Sequence, residues 1–546
     1  MIDDDVQRDT AVSDATQLLV IAPPGCGKTE LLAMRAEALI PRLRPNQRIL
    51  ALTFSNRARD NLAERMRAHL GTQRFRRFVR VRNFHGHATE IINAHCRTIR
   101  LDPEFTLPTR QLLERALRAE SSDENAIAAA KDALSAAKRY PRTDEEVGAA
   151  LDAAGSPLAI SIERARAQTP QLHYGDLLRH AQRLLRIDEV ASLYQQHYGA
   201  VLVDEFQDLS PQQLDLALRT CLCNRTFVGD PLQGIYTWAG ADPAAVEAEL
   251  TALCGEPLRL TRSYRSSPAV LTMLNCVGVP LGATALTSAM PDAWPGGGAA
   301  AAVAFPTGNA DADWIAARCA DILERRPEAT IGVIARSGWR RKLINAAFAV
   351  RPKLPCRQWD LAVDDQETTE RLQRAASALP RTATFAALRD KAITDLDPND
   401  VDGRSDMEEA VAEIEASSQG ERSIRSAIRR YLRDDSDQAI GPGVHLLNAH
   451  TGKGQQFDWV FLPGLEKGHV PDFRAQSADE RLEERRVLLV MLSRAKEGVV
   501  VSRAARLISK RGNPYSPDVS PWWPELAAAA AMSRNQLEGA VAVVSE

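Results

Sequence analysis

Two short stretches hold residues whose types and spacing suit phosphoryl chemistry. The first is Ala22-Pro23-Pro24-Gly25-Cys26-Gly27-Lys28-Thr29. Gly25 and Gly27 let backbone N–H groups curl around a phosphate, and a helix opening there adds the positive end of its dipole. Lys28 is placed to reach the β- and γ-phosphates of a nucleotide, and Thr29 to ligate Mg²⁺. The strict pattern has glycine where this chain has Ala22, so the reading leans on the strand before the loop and the helix after it. The second stretch is Val203-Asp204-Glu205-Phe206-Gln207-Asp208. An apolar strand ending in paired carboxylates can hold Mg²⁺ with one acid, Asp204, and activate water with the other, Glu205. Alone, the first stretch reads as a glycine–proline turn and the second as a solvated strand end. Together they describe a site for ATP and Mg²⁺.

Such residues need strand ends to stand on. Short apolar runs at 18–22, 48–52, 200–203 and 226–228 are each followed by a turn, and the first three then by a helical pattern. Buried parallel strands joined by helices read this way. A second α/β pattern begins near 256, with strand candidates at 331–335, 444–447, 459–462 and 499–502. Between about 86 and 170 the chain is alanine-rich and helical, with helices expected at 111–120 and 125–139. A further insertion spans about 351–440. Its stretch 395–415 carries nine carboxylates against Arg404, a block expected to be solvated and away from DNA. Ile424, Ile428 and Leu432 then space like one face of a helix flanked by arginines, which suits either DNA, a partner or an ordinary surface helix.

Composition bounds the rest. A net charge of −3 over 546 residues excludes a simple basic DNA-coating protein, though not an enzyme with a local basic footprint. Eight scattered cysteines, with only Cys221 and Cys223 close together, suggest reduced thiols and a cytoplasmic location rather than zinc or disulfides. The acidic start Met1-Ile2-Asp3-Asp4-Asp5 does not fit a signal peptide, and no apolar run approaches the roughly 20 residues of a membrane span. Arg74, Arg76, Arg77, Arg80 and Arg82 cluster with Phe75 and Phe78 between them. They form either a phosphate track or an exposed linker.

On these residues the chain resembles the UvrD/Rep/PcrA-like superfamily 1A DNA helicases, from Gln7 to about Pro517. Gln7 stands where the family reads adenine, and Arg35 matches the arginine one helical stretch beyond the phosphate loop. Thr53-Phe54-Ser55-Asn56 and Asn83-Phe84-His85-Gly86 are similar to DNA-contacting motifs. Asp204–Asp208 resembles the DExQD element. Val228 to Trp238 resembles the motif coupling γ-phosphate to DNA, with Gln233 as phosphate sensor and Tyr236 and Trp238 stacking on bases. Leu260–Ser266 resembles the motif in which Tyr264 stacks on adenine and Arg265 touches the γ-phosphate. His450 to Phe457 resembles the HSAKGLEF element, with His450 toward DNA and Gln456 near the ribose. Glu483 to Ala495 resembles the last motif, with Arg494 as arginine finger.

The resemblance implies two RecA-like P-loop NTPase domains, each a parallel sheet flanked by helices with a mainly helical insertion. On it, domain 1A takes 1–85 and 171–255, insertion 1B 86–170, domain 2A 256–350 and 441–515, a reduced insertion 2B 351–440, and a tail 516–546. Catalysis falls to Lys28, Asp204, Glu205, Gln233, Arg265 and Arg494. Nucleotide binding falls to Gln7, Gly25, Cys26, Gly27, Lys28, Thr29, Arg35, Tyr264 and Gln456, with Thr29 and Asp204 on the metal. DNA binding falls to Thr53, Phe54, Asn56, Phe84, His85, Tyr236, Trp238 and His450. On spacing alone Phe54 also fits a core, Trp238 a packed turn, and His85 a structural role. The implied activity is ATP-driven 3′-to-5′ movement on single-stranded DNA, of the kind used in DNA repair.

Three departures stand out. Trp238-Ala239-Gly240 lacks the family's arginine, Gln456 replaces a glutamate, and the second insertion is short. Gln456 bears on nucleotide choice; the short insertion and Ala239 suggest as an alternative a DNA-sensing ATPase subunit that regulates a partner nuclease in antiviral defence, as in the helicase-like subunit of the Gabija anti-phage system.

Overall fold

The computed structural model describes residues 5–54, 56–106, 112–235, 242–359, 366–380, 382–394, 407–408, 410–412, 414–415, 423–428, 440–449, 454–509 and 512–541. The chain forms two compact units, Met1–Tyr264 and Arg265–Glu546.

The first unit is built on a six-stranded sheet. Its strands are β1 (Gln17–Ile21), β2 (Arg48–Thr53), β3 (Val79–Asn83), β4 (Tyr198–Asp204), β5 (Arg225–Gly229) and β6 (Leu258–Arg259), in the order β3-β2-β4-β5-β1-β6 and all parallel. β1, β2, β4 and β5 are near-continuous runs of buried apolar residues, as strands covered on both faces must be. Around the sheet lie α1 (Asp5–Val12), α2 (Lys28–Leu39), α3 (Asn56–Leu70), α4 (Thr72–Phe78) and α5 (Phe84–His95). The register sets Ile21 beside Gly229 and Asp204 beside Val228, so the carboxyl ends of β1, β5 and β4 lie side by side. Ligands of open α/β sheets bind at such ends. The run 74–82 is not a linker: it forms α4 and the edge strand β3.

Between β3 and β4 the structure is helical. After α5 come α6 (Leu112–Glu120), α7 (Glu124–Lys138), α8 (Asp144–Ala154), α9 (Pro157–Ala167), α10 (Tyr174–Leu184) and α11 (Asp188–His197). Leu117, Ile127, Leu134, Val147, Leu151 and Ile162 make a separate small core. A buried ionic network ties these helices together. Lys138 meets Glu163 at 2.7 Å and Asp176 at 3.0 Å, while Arg179 meets Asp176 at 2.8 Å and Asp144 at 2.7 Å.

The second unit repeats the plan. Its sheet comprises β7 (Ala299–Phe305), β8 (Thr330–Ile334), β9 (Cys356–Gln358), β10 (Gly443–Leu447), β11 (Phe457–Pro463) and β12 (Ala495–Ala504), in the order β9-β10-β8-β11-β12-β7, again all parallel. The two sheets are those of two RecA-like domains. The alanine-rich β7 has the composition of a helix. Only seven residues separate Gly298 from Pro306, too few for a stable helix, and pairing with Gly498–Ala504 of β12 wins.

Among residues 372–428 a third helical core gathers Leu372, Leu388, Met407, Val411, Ile414 and Ile428. Met407, Ala410, Val411 and Ile414 belong to the acidic block, which therefore carries a buried apolar stripe, while Glu408 and Glu415 are exposed. Ile424 and Ile428 of the basic helix face the same core; Leu432 lies outside the described residues. No described helix is long and apolar enough to cross a membrane.

Candidate nucleotide and DNA site

The phosphate loop leaves β1 and re-enters helix at Lys28, with Gly25 at φ 82° and Gly27 at φ 78°. Both angles lie in the left-handed region that favours glycine. A Cβ at Gly27 would also stand 2.5 Å from Gln7 Nε2, so the Gln7 side chain would have to move away from the loop. Gln7 Nε2 donates to the Gly27 carbonyl at 3.0 Å, which places the expected adenine reader against the loop itself. The Tyr264 backbone N–H donates to the Gly25 carbonyl at 2.9 Å, bringing a second expected base contact to the same loop. Cys26 is buried, and Thr29 is half-buried in the first turn of α2.

Lys28 Nζ lies 3.6 Å from Glu205 Oε1 and donates to the Ala22 carbonyl at 3.3 Å. Next to Glu205, Asp204 is buried and its Oδ1 has no hydrogen-bond partner. Burial, then the Glu205 charge, pushes its carboxyl up to about 7. A buried carboxylate oxygen without a partner is costly, and a divalent cation offsets that cost. Asp204 therefore fits Mg²⁺. Glu205 takes φ 55°, an uncommon conformation for a residue with a side chain, of the kind that collects at functional sites.

From Glu205 a chain of hydrogen bonds crosses to β5. Gln207 Nε2 donates to Glu205 at 2.8 Å, Gln207 Oε1 accepts the Asp230 backbone N–H at 2.9 Å, and Gln233 Nε2 donates to Asp230 at 2.9 Å. Gly229 leaves room for the turn after β4, since a Cβ there would meet Gln207 Oε1 at 2.4 Å and the Phe206 ring at 2.6 Å. Gln207 and Asp230 stand in the motifs quoted above but were given no role there. The signal was the glutamine two residues past Glu205.

Two expectations are corrected. Arg35 does not face the nucleotide loop. It is fully buried, and its guanidinium donates to the carbonyls of Ala11, Ser13 and Ala15 and to Thr226 Oγ1, holding the end of the segment that carries Gln7. Phe84 does not face DNA either. It is 0 % exposed within the main core of the first unit, because it opens α5 on the side that packs against the sheet.

Its neighbour His85 is half-buried and stacks with Tyr174 at 4.3 Å between ring centroids. Tyr174 is 37 % exposed at the start of α10, and sequence reasoning missed it. Asn83 caps α5 by accepting the Gly86 N–H at 2.6 Å. Thr53 is buried at the end of β2 with its hydroxyl unpartnered, Phe54 is half-buried beside it, and Asn56 opens α3. Tyr236, Trp238 and His450 lie outside the described residues.

In the second unit the two expected arginines share one strap. Arg265 Nη1 donates to the Ser493 carbonyl at 3.4 Å, and Arg494 donates to Ser493 Oγ at 2.6 Å and to the Val490 carbonyl at 2.9 Å. Ser266 Oγ donates to the Ala495 carbonyl and the Ser267 N–H to the Lys496 carbonyl, both at 2.7 Å. Arg494 is buried against its own unit's backbone, while Gln456 is exposed.

Comparison with known proteins assigns a family to both units. Residues 4–250 match the UvrD/REP helicase N-terminal domain and residues 405–506 the UvrD-like helicase C-terminal domain, together more than half of the chain. The chain is 26 % identical to the ATP-dependent DNA helicase UvrD2 of Mycobacterium tuberculosis, over 92 % of this chain and 78 % of that protein. It is 28 % identical to DNA helicase II of Escherichia coli, over 50 % of this chain and 40 % of that protein. It is 27 % identical to the ATP-dependent DNA helicase PcrA of Staphylococcus aureus, over 47 % and 37 %. With two RecA-like sheets and a phosphate loop joined to paired acids, the chain belongs to the UvrD/Rep/PcrA-like family of ATP-dependent DNA helicases.

Proposed function

We propose that the chain hydrolyses ATP to move 3′-to-5′ along single-stranded DNA in the cytoplasm, and that Lys28, Glu205 and Gln233 are the residues through which hydrolysis and DNA contact are coupled. The observation that carries this is the continuous contact from Lys28 through Glu205, Gln207 and Asp230 to Gln233. It links the phosphate loop to the segment leading into Tyr236 and Trp238, the expected base-stacking residues.

In this reading Lys28 holds the β- and γ-phosphates and Glu205 takes the proton of the attacking water. A base must be within hydrogen-bond reach of that water, and Glu205, set at the mouth of the phosphate loop by its left-handed backbone, is the nearer of the two acids to Lys28. Thr29 and Asp204 would hold Mg²⁺, which supplies positive charge to the phosphate oxygens when bound. Arg265 and Arg494 add charge to the γ-phosphate, and Gln7, Tyr264 and Gln456 bind the nucleoside. For Arg494 this requires release from the Val490 and Ser493 contacts it makes here. Thr53, Phe54, Asn56, His85 and His450 join Tyr236 and Trp238 on the strand, where stacking gives a sequence-tolerant grip.

The test is ATP turnover with and without single-stranded DNA, with Glu205→Gln as the variant. The expected result is retained ATP binding with turnover reduced at least about a hundredfold. Lost binding would remove Glu205 from the base role. A second reading, a DNA-sensing ATPase subunit acting on a partner nuclease, is favoured by Ala239 in place of the family's arginine. Robust unwinding by the isolated chain would exclude it.

A further inference from the structure

The phosphate loop, Asp204, Glu205 and Asp230 lie at the carboxyl ends of the first unit's strands. The opposite edge of the same sheet carries a different kind of surface. There an open cleft of about 230 Å³ is lined by Arg42, Arg44, Gln47, Gln195, Gln196 and Asn224. Gln47 directly precedes β2, Gln196 lies at the end of α11, and Asn224 directly precedes β5, so the cleft lies at the amino ends of the strands. A five-residue strand at about 3.3 Å per residue puts that edge roughly 17 Å from the phosphate loop.

Beside the cleft, β2 begins at Arg48, and α4 packs on β2 and β3. Burial lowers the His197 imidazole, and the charges of Arg48 and Arg80 lower it further. The structure divides the basic cluster noted in the sequence. Arg80 and Arg82 are held by Glu90, at 2.9 and 2.7 Å, and Arg74 by Glu37 at 2.9 Å. Arg42 meets Asp14 at 2.8 Å. Arg44, Arg48, Arg67, Arg76 and Arg77 are in no ion pair among the described residues. Arg67 lies over the Phe75 ring at 5.1 Å and Arg77 over Phe78 at 5.0 Å.

We propose that this edge, from the Arg42–Arg48 segment to α4, is a second DNA-binding surface that takes the phosphate backbone of duplex DNA, separate from the single-strand track. Arginines outside any ion pair are the donors that phosphate oxygens select, whereas the amides of Gln47, Gln195 and Asn224 already donate to backbone carbonyls and shape the cleft. Duplex is favoured over single strand by what the face lacks. Phe75 and Phe78 are half-buried and covered by Arg67 and Arg77, so around α4 the described residues offer charge and neither phenyl ring stands open to an unpaired base. The length of α3, 15 residues or about 22 Å, separates Arg67 and α4 from the DNA motif at Thr53–Asn56. One strand in the track therefore does not also cover this edge. A motor holding single strand at one edge and duplex at the other is kept close to a junction.

The test uses the full chain without ATP and a short duplex closed by a hairpin loop at each end, which offers no free strand end. Binding is followed by fluorescence anisotropy over a range of salt. Arg44→Glu/Arg76→Glu/Arg77→Glu is expected to weaken binding about tenfold or more and to lower the slope of log K against log salt by about 2 to 3, near 0.9 for each phosphate no longer neutralised. Single-strand-stimulated ATP hydrolysis should stay at the wild-type level, which separates this proposal from that for the ATP site. Arg76→Gln/Arg77→Gln, with an unchanged melting temperature, should give a smaller loss in the same direction. Duplex affinity unchanged in the triple variant would overturn the proposal. So would an equal loss of single-strand stimulation, which would merge the edge with the track. Competition by polyglutamate as effective as that by DNA would assign the surface to acidic proteins instead.

Discussion

Gln207 Oε1 accepts the backbone N–H of Asp230 at 2.9 Å, and the other end of the same amide donates to Glu205 at 2.8 Å. One buried side chain thus fixes the proposed general base against the strand end that leads to Gln233. Its amide can do this because it offers a donor and an acceptor at once, which neither a carboxylate nor an alkyl side chain does.

Gln207→Ala is expected to lower kcat by about 10- to 100-fold, as loss of a group that orients a reacting residue does. KM for ATP should change little, because Lys28 and the loop remain. Gln207→Glu keeps the acceptor for Asp230 but sets a second carboxylate against Glu205, so it should fold and still turn over slowly. Steady-state kinetics of both variants decide. A rise in KM with kcat intact would make Gln207 a binding residue.

Asp204 predicts a pH dependence. Its carboxyl is raised to about 7 in the folded chain, chiefly by burial, against roughly 3.9 when unfolded. The unfolded chain therefore loses this proton first as pH rises. The contribution is lost between about pH 4 and 7 and stays lost above that. Without nucleotide or metal, Asp204→Asn should melt higher than wild type at pH 8, with the gap closing toward pH 5. Melting curves that run parallel across that range would contradict the burial argument.

The ionic network of the helical insertion is predicted to be costly to break. Asp176→Ala leaves Lys138 and Arg179 buried without the carboxylate they share. Leaving a buried charge unpaired costs about 3–5 kcal/mol; the loss here should fall toward the lower end, because Lys138 keeps Glu163 and Arg179 keeps Asp144. Chemical denaturation should show the loss, and a change below about 1 kcal/mol would mean that water replaces the carboxylate at little cost.

Phe84 and His85 should separate cleanly although they are neighbours. Phe84→Ala is expected to cost about 3–5 kcal/mol of stability through the cavity it leaves. His85→Ala should leave the fold intact and weaken single-strand affinity by about 1–3 kcal/mol, the scale of one stacked base. Equal loss of stability in both would return His85 to a purely structural role.

The strands that carry the phosphate loop and the acids were legible because burial on both faces leaves an unbroken apolar run. β7 was not, since alanine reads as helix and its strand form comes from pairing with β12. β3 was hidden because Arg80 and Arg82 give it a polar face as the sheet edge. Motif spacing brought Lys28, Glu205 and Gln233 into view. It did not say which way a motif residue turns: Phe84 and Arg35 sit in their expected places and point into the core. The Lys138–Asp176 network was illegible because its members come from separate helices.

The most direct test of the central claim is ATP turnover by the purified chain with no nucleic acid, single-stranded DNA, duplex DNA and RNA, with Lys28→Ala as control. The account predicts strong stimulation by single-stranded DNA and a loss of at least about a hundredfold in Lys28→Ala. Turnover that no nucleic acid changes, or that survives Lys28→Ala, would contradict it.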